Sequence, residues 1–159
     1  MENNEKSNFF LRDDGKSGLR YIVDAEKSTR HLDTYKHTVP VEITTVELDE
    51  YLKKQGVFEN VSFMKIDVDG PELFVLKGSK LLLKNKDLKI FMEWDKASAR
   101  WSGCRPSDII DLLVDNNFKM FYPNYKENKF YEISKNELLG KPDNPGETIN
   151  MVFLKDPSV

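Results

Sequence analysis

Closely spaced charged side chains stand out in the segment Lys65-Ile-Asp-Val-Asp-Gly-Pro-Glu72. Its apolar residues predict a β-strand over residues 62–68, and because side chains alternate along a strand, Lys65 and Asp67 share one face. Charges on a covered strand are costly unless they are paired or functional. In open α/β sheets ligands bind beyond the carboxyl ends of the strands, where this segment delivers Asp67 and Asp69. Asp67 is therefore a candidate catalytic residue, with a plain Lys65 to Asp67 ion pair as the alternative.

A turn and a helix follow this strand. Asp69-Gly70 is a turn signal, and Pro71 with Glu72 behind it predicts a helix that runs to about residue 84. The candidate substrate-binding residues near the start of this helix are Lys65, Asp69 and Glu72. For Asp69 the ordinary alternative is that its side chain caps the helix.

The next predicted strand, residues 88–94, carries a second candidate catalytic residue near its end. Glu93 would lie level with Asp67 if the two strands are neighbours, and Asp95 follows it. Carboxylates in this position could accept a proton from a substrate hydroxyl or hold Mg²⁺, although scattered surface acids are common. The loop expected after this strand carries three more side chains that could close over a ligand: Arg100, Trp101 and Arg105.

The remaining elements form the scaffold. Short strands are expected near residues 9–11 and 19–23, then a strand at 41–43 and a helix from a Thr44/Glu47 capping box to Gly56. Further along are a helix at 109–116, a strand at 118–122, a turn at 126–128, a second capping box at Ser134 and Glu137, and a strand at 150–154. The alternation of strand and helix predicts one α/β domain over residues 1–159, with helices on both sides of a mostly parallel sheet.

Composition excludes several classes of protein. The 159 residues contain 24 Lys and Arg against 27 Asp and Glu, and a net charge of -3 offers no broad basic field for nucleic acid. No apolar stretch approaches the roughly 20 residues that cross a bilayer. The N-terminus lacks a signal or transit pattern, so a cytoplasmic location is expected. Cys104 is the one cysteine, and with only His31 and His37 beside it any metal would be bound by oxygen ligands.

Three runs of this sequence resemble FkbM-type methyltransferases. They are Thr45-Val-Glu-Leu-Asp49, then the run from Phe63 to Ser79 that contains Lys-Ile-Asp-Val-Asp-Gly-Pro-Glu, then Ile90-Phe-Met-Glu93. Asp69 stands where that family usually has Glu, while Pro71 and Ser79 stand where Ala is common. The resemblance is strongest over residues 41–93 and extends over most of the chain.

The resemblance implies transfer of a methyl group from S-adenosylmethionine to a hydroxyl of a sugar or other small metabolite, on a Rossmann-like sheet. Such an attack needs the acceptor oxygen in line with the methyl group and freed of its proton. Asp67 or Glu93 could take that proton. By analogy with metal-dependent O-methyltransferases, Asp67 with Glu93 or Asp95 could also hold a divalent metal ion.

One part of the family's pattern is not found. Proteins of this fold hold the cofactor with a first strand that leads into a glycine-rich turn, and residues 14–18 read instead as a hairpin turn. No cofactor-binding residue is therefore assigned, and the cofactor-binding strands would lie before Met1. Without them the strand at 62–68 becomes an exposed edge, which the N-terminal strands, a partner chain or the rest of a longer protein would have to cover.

Two other functions remain open at this point. Asp67-x-Asp69-Gly70 after an apolar strand also resembles the first motif of haloacid-dehalogenase-type phosphatases, although Pro71 stands where Thr is usual and the later acids are not found. The chain could instead be a non-catalytic module, derived from half of a methyltransferase, that binds a partner through its open sheet edge.

Overall fold

A computed structural model describes residues 6–12, 20–21, 38–142 and 148–155 of the chain. Three N-terminal strands, β1 (Lys6–Arg12), β2 (Arg20–Tyr21) and β3 (Thr38–Thr44), form an antiparallel sheet in the order β2-β1-β3. The predicted hairpin turn at 14–18, the segment 24–37 and both histidines lie outside the described residues.

The other elements alternate between helix and strand for most of the chain. They are α1 (Leu48–Lys54), β4 (Phe63–Ile66), α2 (Glu72–Lys77), β5 (Lys89–Trp94), α3 (Lys96–Trp101), α4 (Pro106–Asp115), β6 (Lys119–Asn124), β7 (Lys129–Glu132), α5 (Lys135–Gly140) and β8 (Ile149–Leu154). Two 3₁₀ turns, Phe58–Asn60 and Leu82–Lys84, complete them.

The second sheet has five strands in the order β4-β5-β8-β6-β7. Strands β4 and β5 are parallel neighbours, as the sequence predicts for residues 62–68 and 88–94, whereas β5 with β8, β6 with β8 and β6 with β7 all pair antiparallel. The expectation of a mostly parallel sheet is wrong, because β8 returns between β5 and β6 and β7 folds back on β6 as a hairpin. Since β5 and β6 both oppose β8, the strands β4, β5 and β6 still run in one direction.

The two faces of this sheet differ in burial. One face is fully buried and is formed by Met64, Ile66, Ile90, Met92, Met151 and Phe153, which face each other across the strands. The other face, which we call the open face, consists of Lys65, Phe91, Glu93, Asn150 and Val152, all half-buried or exposed.

The helices cover the buried face. Leu73 and Leu76 of α2, Ile109 and Leu113 of α4 and Leu138 of α5 belong to one hydrophobic cluster with it. Phe121 of β6 pairs with Val152 on the open side and lies outside that cluster. Helices on both faces were expected, but the described helices form one layer.

Three local predictions are wrong. Thr44 ends β3, and α1 begins after Glu47, which occupies the N-cap position without a capping side chain, so the Thr44/Glu47 capping box does not form. The helix expected over 71–84 ends at Lys77 with Gly78 as its C-cap, and a 3₁₀ turn follows. The loop expected after Glu93 contains α3, because the Asp95 side chain caps a new helix there. The Ser134/Glu137 capping box is confirmed.

Asp49 explains why the chain turns after α2. Its carboxylate is 1% exposed and accepts hydrogen bonds from the backbone N–H groups of Leu81 at 2.6 Å and Leu82 at 3.0 Å. In return the Asp49 N–H donates to the Gly78 carbonyl at 3.0 Å. One buried side chain thus satisfies the first N–H groups of the 3₁₀ turn and joins α1 to the loop after α2.

None of the described helices combines the length and the apolar character that crossing a bilayer requires.

We predict that Asp49→Ala lowers the free energy of unfolding by about 2–4 kcal/mol, because two buried N–H groups lose their acceptor. Urea denaturation would measure this change. Glu50→Ala is the matched control, since Glu50 lies next along α1 and makes an exposed ion pair with Lys53 at 3.3 Å. An equal effect of the two substitutions would refute the role given to Asp49.

Candidate active site

The parallel pairing of β4 and β5 brings the two candidate catalytic residues together. Ile66 lies opposite Met92, so Asp67 and Glu93 are the next residues along the two strands and share the open face. Glu93 lies close enough to Asp67 to contribute to its lowered pKa. The prediction that these residues lie level at neighbouring strand ends is therefore confirmed by the geometry.

Lys65 completes a three-member charged cluster. Its Nζ donates to Asp67 Oδ2 at 2.6 Å, and both side chains are substantially exposed. The hydrogen bond from Lys65 and then the contribution of Glu93 hold the pKa of Asp67 below its ordinary value, while Asp67 raises the pKa of Lys65.

The turn after β4 is held by close packing against α3. Asp69 has a φ of 55° and Gly70 a φ of 127°. Residues other than glycine are strained in this positive-φ region. A Cβ on Gly70 would lie 2.2 Å from Ser102 Oγ and 2.5 Å from the Ser98 carbonyl oxygen. Position 70 therefore requires glycine for two reasons: its backbone angles and its close contact with α3.

Glu72 holds this turn through a hydrogen bond to the turn's backbone. Its side chain is buried, and its Oε1 accepts a hydrogen bond from the Gly70 N–H at 2.9 Å. Burial is the main cause of a raised pKa of Glu72, with Asp69 and Asp95 adding to it. The role of Glu72 as a substrate ligand stays a prediction, and the contact that the structure gives it is with the backbone of the turn.

Asp69 and Asp95 take positions that differ from expectation. The capping role considered for Asp69 is wrong, because Pro71 occupies the N-cap position of α2 and no side chain caps that helix. Asp95 is the residue that caps a helix, since it accepts from the Ala97 N–H at 2.8 Å and from Ser98 Oγ at 2.7 Å. Both oxygens of Asp95 are thereby engaged by α3.

The remaining candidates lie on helices. Arg100 and Trp101 belong to α3, and Arg105, at the start of α4, forms a two-bond ion pair with Asp108 at 3.0 Å for each bond. Among the described residues no group of three or more histidine, cysteine or acidic side chains could hold a metal ion. The described part of the chain therefore gives no support to the Mg²⁺ site.

Sequence reasoning missed two polar residues at the same edge of the sheet. Asn150 lies directly opposite Glu93 in the antiparallel pair of β5 and β8, and its Nδ2 donates to the Tyr125 hydroxyl at 3.1 Å. Tyr125 follows β6, whose carboxyl end points the same way as those of β4 and β5. The one signal available was an Asn at the start of an apolar strand, which does not reveal its neighbours.

The fold and this cluster define an α/β protein with a polar site at the carboxyl ends of its parallel strands. Comparison with known proteins gives a narrower result. Residues 3–120 match the methyltransferase FkbM domain, and the chain belongs to that family. It is also 28% identical over 141 residues to "Uncharacterized protein MJ0213" of Methanocaldococcus jannaschii, an alignment that covers 76% of this chain and 95% of that protein. No solved structure matches it significantly.

The described residues do not fit the adenosyl cofactor that methyltransferases generally use. The one glycine turn between a strand of the larger sheet and its following helix is at Gly70, and the space beside Gly70 is filled by Ser98 and Ser102. A glycine that approaches a cofactor phosphate or ribose would leave that space open.

We predict that Gly70→Ala lowers the free energy of unfolding by about 2–5 kcal/mol, because the new methyl group clashes with α3 and the backbone angle is strained. Gly56→Ala is the matched control: its φ is also positive, at 69, but nothing lies within 4 Å of the added Cβ. Only the strain cost of about 1 kcal/mol is expected there. Equal unfolding midpoints would show that α3 does not constrain the turn.

We also predict that Lys65→Met raises the pKa of Asp67, since the largest cause of its low value is removed. Carbon-detected NMR titration of the carboxyl would measure it. Because the pKa of Asp67 is lower in the folded state than in the unfolded state, its ionised carboxyl stabilises the fold above the unfolded-state pKa. This stabilisation is lost as the pH falls through the folded-state pKa. In the variant that loss should be smaller and should be complete at a higher pH. Lys53→Met, which breaks an exposed pair on α1, should leave Asp67 unchanged.

Proposed function

We propose that this chain carries the acceptor side of an O-methyltransferase, with S-adenosylmethionine as the methyl donor and a hydroxyl of a small metabolite as the acceptor. The observation that carries the proposal is the pair of Asp67 and Glu93, which the register of β4 and β5 places at adjacent strand ends of an FkbM-family chain. Membership of the family supports methyl transfer as the reaction. The pair supports a role for these residues at the methyl acceptor.

In the proposal Asp67 holds the acceptor hydroxyl and receives its proton. A carboxylate with a low pKa is a weak base towards an ordinary alcohol. The hydroxyl becomes strongly acidic, however, once its oxygen gains the bond to carbon, so a late proton transfer to Asp67 is favourable. The ionised form of Asp67 is the one that accepts the hydroxyl hydrogen bond beforehand, which also orients the attacking oxygen.

Lys65 keeps Asp67 in that form, because it stabilises the negative charge through its 2.6 Å hydrogen bond. Asp69 lies on the exposed side of the same turn and would contact the substrate, while Glu72 fixes the turn through Gly70. In the proposal each of these residues therefore either acts at the acceptor or holds the turn beside it.

The cofactor side belongs to another part of the enzyme in this proposal. Strand β4 is the terminal strand of the larger sheet in the described part of the chain, so the adenosyl-binding strands of a Rossmann-like sheet would extend it from that edge. Residues 1–159 would then form a partial methyltransferase domain. The buried single cysteine, Cys104, is consistent with a reducing, cytoplasmic compartment.

A second candidate is a non-catalytic module that binds a partner chain through the β4 edge. The observation in its favour is the poor fit of the described residues to the cofactor, together with the terminal position of β4. Calorimetric titration of S-adenosylmethionine into the purified chain tests the shared premise that the cofactor side lies elsewhere, and saturable binding would overturn it. With no heat, methyl transfer by the chain together with its cofactor-binding partner favours the transferase, whereas stable association with a partner and no transfer favours the module.

We predict that Asp67→Asn lowers kcat for methyl transfer about 10²- to 10⁴-fold, because the proton loses its acceptor while the size of the side chain is retained. Transfer of a labelled methyl group from S-adenosylmethionine to a panel of hydroxyl compounds would measure it. Glu93→Gln should show a smaller loss, since Glu93 neighbours Asp67 but is not the proton acceptor in the proposal.

Glu50→Gln is the matched control, because Glu50 is an exposed acid on α1 that only pairs with Lys53. It should transfer methyl groups at the wild-type rate. Full activity of Asp67→Asn beside full activity of the control would overturn the assignment of the acceptor base, whatever the acceptor proves to be.

A further inference from the structure

One ionisable side chain is buried beneath the turn that follows β4. Glu72 is only 5% exposed, and its Oε1 accepts the hydrogen bond of the Gly70 N–H at 2.9 Å. An ionised carboxylate is costly to bury unless a cation pairs with it. Among the described residues, the charges that act on Glu72 are those of Asp69 and Asp95, and both are acids. The structure therefore accommodates Glu72 more easily with its proton than without it.

The groups around Glu72 come from several elements. Asp69 belongs to the turn and Asp95 begins α3, while Cys104, between α3 and α4, lies near enough for Glu72 to contribute to its raised pKa. Burial is the larger cause of that raised pKa, so the thiol stays neutral at acidic and neutral pH. The charges of Lys77 on α2 and Asp108 on α4 act on Cys104, and neither is among the causes of the Glu72 shift.

The turn and α3 meet at one narrow contact above this carboxyl. A Cβ on Gly70 would lie 2.2 Å from Ser102 Oγ and 2.5 Å from the Ser98 carbonyl oxygen, so there is no space for water between the turn and α3 at this point. Water can therefore reach an ionised Glu72 from this side only if the turn moves away from α3.

We propose that Glu72 is a proton-controlled latch on the turn at residues 67–70. The neutral carboxyl keeps the turn closed against α3, whereas the ionised carboxylate favours a local opening in which water solvates it. Because the turn carries Asp67 and Asp69, its opening displaces both side chains from the end of β4. The latch goes beyond the proposed function and does not depend on it, since no methyl donor or acceptor takes part.

Proton linkage gives the direction of the pH effect. Burial raises the pKa of Glu72 in the closed turn, while in the open turn the exposed carboxyl titrates near its ordinary pKa. The closed turn is most stable below that ordinary pKa, and this stability is lost as the pH rises through the closed-state pKa. The opening constant should therefore rise by up to about tenfold per pH unit between the two pKa values and then become constant.

Hydrogen exchange of the Gly70 amide measures this opening, because the Gly70 N–H is bonded to Glu72. Exchange NMR on the full chain from about pH 4 to about pH 8, corrected for the intrinsic exchange rate, should show the protection of Gly70 fall until the closed-state pKa is passed. Carbon-detected NMR of the Glu72 carboxyl measures that pKa independently. The total loss of protection should equal ten raised to the difference between the two pKa values.

A reference amide separates local opening from global unfolding. Ile133 is buried beside the other terminal strand of the sheet, and its N–H donates to the Met120 carbonyl at 2.9 Å. We expect stronger protection of Ile133 than of Gly70 at every pH, because the turn opens while the rest of the sheet stays folded.

Glu72→Gln is the matched variant. Its amide keeps the size of the side chain and an oxygen for the Gly70 N–H, but it does not ionise. The protection of Gly70 should then lose most of its pH dependence and should exceed that of the wild type at about pH 8. Glu50→Gln, an exposed acid on α1 that pairs with Lys53, should keep the wild-type curve. If Glu72→Gln does not fold, the wild-type exchange curve and the measured Glu72 pKa still decide.

Four results would overturn the latch. They are constant protection of Gly70 across the pH range in the wild type, a Glu72 pKa at or below its ordinary value, a pH dependence that Glu72→Gln retains, and equal protection of Gly70 and Ile133. The proposed function is tested separately by the activity of Asp67→Asn, so its failure and the failure of the latch are distinguishable.

Discussion

The pairing of β4 with β5 is the constraint on which the site depends. Ile66 and Met92 are both buried and face each other on the core side of the sheet, which fixes the register of the two strands. A shift of one residue would turn these apolar side chains to the open face and bury Lys65 and Glu93. The core therefore determines, through the alternation of the strands, that Asp67 and Glu93 meet on the opposite side.

A second layer of contacts holds the turn that follows. Gly70 packs against α3, Glu72 holds the Gly70 N–H, and Asp95 fixes the start of α3 itself. Two of the acids that stand out in the sequence thus hold the local backbone, whereas Asp67 pairs with Lys65 on the open face. A buried carboxylate such as Glu72 is costly, and its raised pKa reflects that cost. Its retention beside the turn is explained by the one hydrogen bond that keeps Gly70 in its unusual conformation.

The sequence was sufficient for the parts of the fold that depend on local pattern. The apolar runs identified β4, β5, α4 and β8, and the parallel adjacency of β4 and β5 followed from the short connection through a helix. The sequence could not reveal that β8 inserts between β5 and β6, because strand order depends on contacts far apart in the chain. Asn150 was therefore read as a strand end and not as the neighbour of Glu93. Asp49 was noticed only as part of a resemblance, since its partners Leu81 and Leu82 are backbone groups more than thirty residues away.

The unequal faces of the sheet bear on how the chain works. Charged and apolar side chains alternate with the core residues on the open face, from Lys65 and Phe91 to Val152, and the described helices all pack on the other side. The proposed function depends on this asymmetry. In that proposal the acceptor residues Asp67 and Glu93 lie at the ends of β4 and β5, and the residues that hold the adenosyl group come from strands that would extend the sheet beyond β4.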